Sequence, residues 1–163
     1  MAATSVDKLV ESFEKPTIPP INGKPTYATI HSLQKFLNSN MASVSTNLRC
    51  GTMGHLCLTL SFTVYKTLLE TQVVTPTNHG AAPIIPEGAI GPKAASLHYA
   101  HDAATITFSM FQNTDRALRQ QLLGTAEDNF ARVLYRPRWG YSRSRTLDLL
   151  THLYAAYTIT TNE

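Results

Sequence analysis

The fold of this chain is decided by residues 92–134, which read PKAASLHYAHDAATITFSMFQNTDRALRQQLLGTAEDNFARVL. Apolar side chains recur in this stretch every seven residues, at Leu97, Ala104, Phe111 and Leu118. Three more residues, which lie three or four positions from these, extend the pattern into one stripe along the helix. They are His101, Phe108 and Leu122. Because an α-helix brings such positions onto one face, the stretch is predicted to be helical over about seven turns.

The ends and the continuity of this helix depend on a few residues. Pro92 suits a first helical position, because the N–H that it lacks would have no partner there. Thr114 and Asp115 interrupt the stripe and belong to the residue types that cap helices. The stretch is therefore either one helix or two helices in line. A short helix is predicted to follow, and its buried side chains are Phe130 and either Val133 or Leu134.

Shorter helices are predicted on both sides of this stretch. An amphipathic segment at 6–13 comes first, and Thr26 is the predicted N-cap of a second helix. Ser61 is the predicted N-cap of a third. The last helix, 146–157, has its apolar side at Leu147, Leu150, Leu153, Tyr154 and Tyr157.

The connections hold most of the prolines. Four prolines force residues 15–25 into an extended, polyproline-like arm. Residues 73–91 contain three prolines and several glycines, which indicates a long loop. Leu56, Leu58 and Leu60 alternate with other residues, and this period predicts a short extended segment.

Length and composition limit the class of protein. The chain has 163 residues, 43% of them hydrophobic, which suits one globular domain. Only 15% are charged, and the net charge is +3. The low fraction of charged residues is explained equally well by a surface that is shared with partners and by a polar surface of Ser, Thr and Asn. Two cysteines and no signal peptide predict a reduced intracellular protein, and no apolar run reaches the ~18 residues of a membrane span.

These patterns predict an all-α fold with five to seven helices and long Pro-rich connections. Residues 1–25 form an N-terminal short helix and a Pro-rich arm. Residues 26–157 form the main helical domain, and residues 158–163 form a short tail.

Two groups of residues have spacings that occur in metal sites. Cys50 and His55, with glycines between them, match the middle of a zinc knuckle, but the other two ligand positions hold Asn47 and Leu60. Because structural zinc needs four ligands, a loop with buried thiols is the preferred interpretation. His98, His101 and Asp102 share a helical surface, but nothing in the chain supplies a third or fourth ligand group from elsewhere. No metal or cofactor is predicted.

The sequence contains no recognisable catalytic set. A nucleophile elbow, a phosphate loop, a dinucleotide fingerprint and a zinc-protease motif are all missing from it. The chain is therefore predicted not to be an enzyme and to have no small-molecule substrate.

A basic, aromatic stretch is the main candidate site. Five arginines fall within the fourteen residues from Arg132 to Arg145, and no acidic residue lies among them. Arginines neutralise phosphates and aromatic rings stack on unpaired bases. The predicted nucleic-acid-binding residues are Arg136, Arg138, Trp139, Arg143 and Arg145. The alternative is a solvated connection or a protein interface, in which Trp139 only packs a loop between two helices.

Several segments are similar, in the same order, to one protein family. They are 16–21 (PTIPPI), 25–31 (PTYATIH), 54–56 (GHL), 58–61 (LTLS), 117–123 (ALRQQLL) and 150–154 (LTHLY). A Thr-Ala pair, an acid and an aromatic at Thr125, Ala126, Asp128 and Phe130 also fit the family pattern. The chain, over residues 6–157, resembles the N-terminal part of the Gag-like capsid polyprotein of copia-type long-terminal-repeat retrotransposons.

The resemblance implies a structural protein with a helical capsid domain. Such proteins self-associate into virus-like particles in the cytoplasm and package the RNA of the element. The expected partners are therefore other copies of the chain and RNA, with no membrane. The resemblance also implies that residues 158–163 are a truncated tail within the capsid region. The alternative from the residues alone is a small helical nucleic-acid-binding module.

Overall fold

The computed structural model describes residues 4–46, 54–69 and 75–158, and the regular structure of these ranges is helical. The helices are α1 (Val6–Ser12), α2 (Tyr27–Ala42), α3 (Phe62–Leu68), α4 (Gly91–Thr125), α5 (Asp128–Ala131) and α6 (Thr146–Tyr157). In the described residues, β-pairing is limited to an isolated bridge between Arg136 and Gly140. The predicted all-α fold is confirmed.

The decisive stretch forms one helix rather than two. α4 has 35 residues, which corresponds to a length of about 50 Å. It begins at Gly91, with Pro92 in its first turn. Thr114 and Asp115 do not break it, because both lie inside the continuous helix. The Thr114 hydroxyl donates to the Met110 carbonyl one turn earlier (2.8 Å) and caps no new helix.

The core surrounds the C-terminal half of α4. Leu118 and Leu122 of this half are completely buried, and α1, α2 and α6 all pack on α4. No side chain before Thr114 in α4 is fully buried. The N-terminal half of the helix therefore extends from the core with a partly exposed surface.

The Pro-rich arm packs into the same core through a buried polar network. The Asn40 side chain of α2 accepts from the Lys15 N–H (2.7 Å) and donates to the Gln121 side chain of α4 (2.8 Å). Gln121 in turn donates to the Lys15 and Pro16 carbonyls. The Ile21 N–H donates to the Thr125 carbonyl at the end of α4 (2.8 Å), which pairs a group that helix ends otherwise leave free.

The predicted caps of α2 and α3 are confirmed. The Thr26 hydroxyl accepts from the Thr29 N–H, and the Thr29 hydroxyl accepts from the Thr26 N–H. The Ser61 hydroxyl accepts from the Val64 N–H. These short local bonds satisfy N–H groups that the first helical turn cannot pair.

One local prediction is wrong. The segment predicted as extended contains a 3₁₀ turn, Leu56–Leu58, closed by the Leu58 N–H to the His55 carbonyl (3.0 Å). An alternating pattern needs a neighbouring strand, and the described residues contain no such strand.

The predicted apolar side of α6 is incomplete. Four of its residues lie in the core or pack against it, and they are Leu150, Leu153, Tyr154 and Tyr157. The prediction missed Leu149, which is fully buried, whereas Leu147 is only partly buried.

The structure decides which of Val133 and Leu134 is buried after α4. α5 continues into a 3₁₀ turn, Arg132–Leu134. Phe130 and Leu134 pack against the core, whereas Val133 is mostly exposed. Residues 75–90 contain no helix or strand, as predicted for the described part of that loop. None of the helices in the described ranges is both long enough and apolar enough to cross a bilayer.

Candidate nucleic-acid interface

The basic stretch between α5 and α6 forms a closed turn. The Arg136 N–H donates to the Gly140 carbonyl (3.0 Å), and the Gly140 N–H donates to the Arg136 carbonyl (2.7 Å). Gly140 has a positive φ of 57°, a conformation that a residue with a side chain adopts only at a cost. The turn places Arg138 and Trp139 at its tip.

Arg136 and Arg138 are exposed and carry unpaired charges. Neither has a carboxylate within ion-pair distance among the described residues. A phosphate contact requires a guanidinium group that no nearby carboxylate neutralises, and both residues meet this requirement.

Trp139 and Arg143 form a pair. The Arg143 guanidinium lies over the Trp139 ring at 4.5 Å from its centre, which is a cation–π contact. Trp139 remains 48% exposed. The rings of Tyr135 and Tyr141 meet edge to face at 5.4 Å. Burial, followed by the charge of Asp128, raises the pKa of Tyr141.

Arg145 has a structural role that the other four residues do not share. Its guanidinium donates to the Asp148 carboxylate (3.0 Å), and its backbone N–H donates to the same group (2.9 Å). The hydrogen bond to Asp148 raises the pKa of Arg145. Partial burial acts to raise the pKa of Asp148, but the bonds and charge of Arg145 outweigh it and lower that pKa. Arg145 therefore anchors the first turn of α6.

Tertiary structure adds two arginines that the linear pattern did not include. Arg116 and Arg119 of α4 line one cavity together with Arg143 and Arg145. Arg119 donates to the Ser144 carbonyl (2.7 Å) and lies 3.7 Å from Asp115. The sequence signal was the spacing of Arg116 and Arg119, three residues apart on a helix, but nothing local places this helix beside residues 142–145.

The candidate metal residues do not assemble into a site within the described ranges. No group of three or more His, Cys, Asp or Glu side chains there could hold an ion. Cys50 lies outside the described residues. His101 contacts Asp102 at 3.7 Å on the surface of α4.

His55 is instead a core residue. The residue is 1% exposed, and neither ring nitrogen has a hydrogen-bond partner among the described residues. The ring lies 5.9 Å from that of Phe111. Burial lowers the pKa of His55 from its ordinary 6.5 to about 4. Sequence spacing could not reveal this, because it depends on how α4 covers the 3₁₀ turn.

The chain matches no protein-family model, no curated protein and no solved structure.

Proposed function

We propose that the protein is a structural, Gag-like capsid subunit that self-associates into particles enclosing RNA in the cytoplasm. The observation that carries the proposal is the surface of the N-terminal half of α4. Its partly buried positions include 94, 97, 101 and 104, which alternate in steps of three and four residues. This is the spacing of a helix–helix seam.

The surroundings of this seam favour association. Three large apolar side chains are exposed just before this half-helix, and they are Ile84, Ile85 and Ile90. Monomeric proteins rarely leave contiguous apolar surface exposed. A second copy of the chain would cover the seam by presenting the same positions, because homo-oligomers reuse one surface by symmetry.

The test is a pair of matched substitutions in one helix. Ala104→Glu places a charge in the seam, whereas Ala95→Glu places it nine residues away, on the opposite and exposed face. Sedimentation velocity over a range of concentrations should show assembly for the parent and for A95E and loss of assembly for A104E. A parent that stays monomeric at every concentration would contradict the proposal, as would equal assembly of both variants.

A second candidate function is RNA binding by the basic turn. It is supported by Arg136 and Arg138, which are exposed and have no ion pair with a described residue. Binding through phosphate contacts weakens as salt rises, because each contact releases counterions. An apolar seam would hold or strengthen in kosmotropic salt. The two functions therefore respond to salt in opposite directions.

The test of RNA binding compares two double variants, each of which removes two positive charges from a different part of the surface. R136Q/R138Q should weaken retention of single-stranded RNA and lower the slope of log affinity against log salt by about 1.4. The control K8Q/K24Q removes the same charge from exposed positions on α1 and the arm. RNA retention that is unchanged in R136Q/R138Q, or reduced equally in the control, would exclude the turn as the binding site.

A further inference from the structure

One cavity of about 400 Å³ lies where α3, α4 and the residues before α6 meet. Its volume falls within the range of roughly 300–1,000 Å³ that is typical of small-ligand sites. We propose that this cavity binds a nucleotide, with the base among phenylalanine rings and the phosphate against Arg116 and Arg143. The proposal goes beyond self-association and does not depend on it.

At the basic end of the cavity, two of the four arginines have no ion pair to a described residue. Arg119 is close to Asp115, and Arg145 is paired with Asp148. Arg116 and Arg143 have no ion pair among the described residues. Two free guanidinium groups match a phosphate monoester, which carries a charge of about −1.5 to −2 at neutral pH.

Arg143 is held in place for this role. Its guanidinium stacks on Trp139 at 4.5 Å. A stacked guanidinium keeps its N–H groups in the plane of the group, where they remain available to donate to phosphate oxygens. Stacking also restricts the side chain before a ligand binds, which lowers the entropy that binding costs.

The apolar end of the cavity consists of aromatic rings. Phe108 and Phe111 of α4 line it, and Phe62 of α3 lines it while remaining 60% exposed. Bases of every sequence stack on such rings. On α4 the rings lie one to three turns before Arg116 and Arg119, so the aromatic and basic ends are adjacent along one helix face.

Polar groups between the two ends favour a nucleotide over an alkyl anion. Gln112 lines the cavity, is exposed, and has no hydrogen bond to the described residues. Its amide offers one donor side and one acceptor side, as the edge of a base requires. An alkyl chain would leave this amide without a partner on that side.

Calorimetric or NMR titration with AMP and UMP tests the proposal, with adenosine, inorganic phosphate and dodecanoate as comparison probes. AMP and UMP should bind in the millimolar range or tighter, and adenosine and phosphate should each bind more weakly. Arg116→Gln and Arg143→Gln should each weaken AMP binding about tenfold or more, because each removes charge-assisted hydrogen bonds. Phe62→Ala should weaken it about fivefold or more by removing a stacking surface.

The control is K35Q/R132Q, which removes two exposed positive charges outside the cavity lining. This control should leave AMP affinity within a factor of about two at constant salt, because the lost charges lie outside the cavity and are screened. Arg116 and Phe62 are exposed, so their variants should keep the thermal midpoint of the parent, and affinity is compared only between folded proteins. All titrations are repeated in A104E, so that the result does not depend on assembly.

The outcomes separate the possible ligands. Competition between AMP and a 5′-phosphorylated single-stranded RNA, but not its 5′-hydroxyl form, would support the site and identify an RNA end as a source of the nucleotide. Competition by neither RNA would support a free nucleotide. Absence of AMP and UMP binding at millimolar concentration, binding of dodecanoate alone, or equal weakening in the control would overturn the proposal.

Discussion

At the scale of single residues, the type of side chain predicted hydrogen bonds to sequence neighbours better than hydrogen bonds to residues far along the chain. Thr26 and Ser61 cap helices as their chemistry indicates, because the bonds run to residues three positions away. Thr114 and Asp115 have the same chemistry but lie inside α4. Asp115 accepts instead from the Thr146 N–H, 31 residues along the chain (3.0 Å). The partner of a polar side chain was predictable only when it was a sequence neighbour.

His55 supports a prediction about acid stability. Its pKa is lowered to about 4 in the folded protein, so the unfolded chain binds the proton more tightly. The free energy of unfolding should therefore fall as pH decreases from 6.5 to about 4. The contribution of His55 to this fall is at most about 3 kcal/mol.

Urea titrations at neutral pH and near pH 4 measure this effect in two variants. His55→Leu should flatten the pH dependence, because an apolar side chain has no proton to bind. His98→Gln, at an exposed position of α4, should keep the dependence of the parent. An unchanged slope in H55L would show that burial of His55 does not control acid sensitivity.

At the scale of elements, helical periodicity located every long helix, but it did not show which parts of them are buried. The stripe of α4 continues through Leu97, Ala104, Phe111 and Leu118, yet only Leu118 of these is fully buried. The core is reached where α1, α2 and α6 pack on the second half. Periodicity depends on chain geometry, whereas burial depends on which elements meet.

The junction of α4 and α6 supports a prediction about stability. Asp115 accepts from the Thr146 N–H and lies 3.7 Å from Arg119. Asp115→Ala should lower the free energy of unfolding by about 1–3 kcal/mol, because it removes an N-terminal partner of α6 and leaves a partly buried arginine less compensated.

The control for this substitution is Asp102→Ala in the same helix. The Asp102 side chain is 75% exposed, so D102A should change stability by no more than about 0.5 kcal/mol. Chemical denaturation of both variants at one ionic strength makes the comparison. Equal stabilities would contradict the role given to Asp115.

At the scale of the whole molecule, the arm and the helices share one core. Leu9, Phe13, Ile18 and Ile21 are buried with the leucines of α2, α4 and α6. Prolines predicted that residues 15–25 are extended, but the network of Asn40 and Gln121 determines where that segment lies. Asn40 is fully buried and contacts residues 25 and 81 positions away.

This network predicts the effect of one truncation. Asn40→Ala should lower the free energy of unfolding by about 2–4 kcal/mol, since it removes three hydrogen bonds and leaves buried partners unpaired. Asn22→Ala, at an exposed position of the arm, is the matched control and should be nearly neutral. Limited proteolysis within residues 15–25 should also be faster in N40A than in N22A. Matching unfolding curves for the two variants would show that the network does not hold the arm.

The candidate site shows the same division between local and distant information. The arginine and aromatic composition of residues 132–145 was visible in the chain, and Arg136 and Arg138 are exposed as a phosphate contact requires. Arg145 pairs with Asp148 three residues further along the chain, which is a local contact at the start of α6. Folding brought Arg116 and Arg119 beside Arg143. That approach does not follow from spacing, since it depends on the packing of α4 against the start of α6.

The sequence by itself determined the all-α class, the long central helix, the capping residues and the basic turn. Each of these depends on interactions between residues a few positions apart, whose geometry the backbone dictates. Only the tertiary structure decided that α4 is continuous and half exposed, that His55 is buried and that four arginines line one cavity. These features depend on contacts between segments far apart in the chain, and such contacts leave no periodic signal in the sequence.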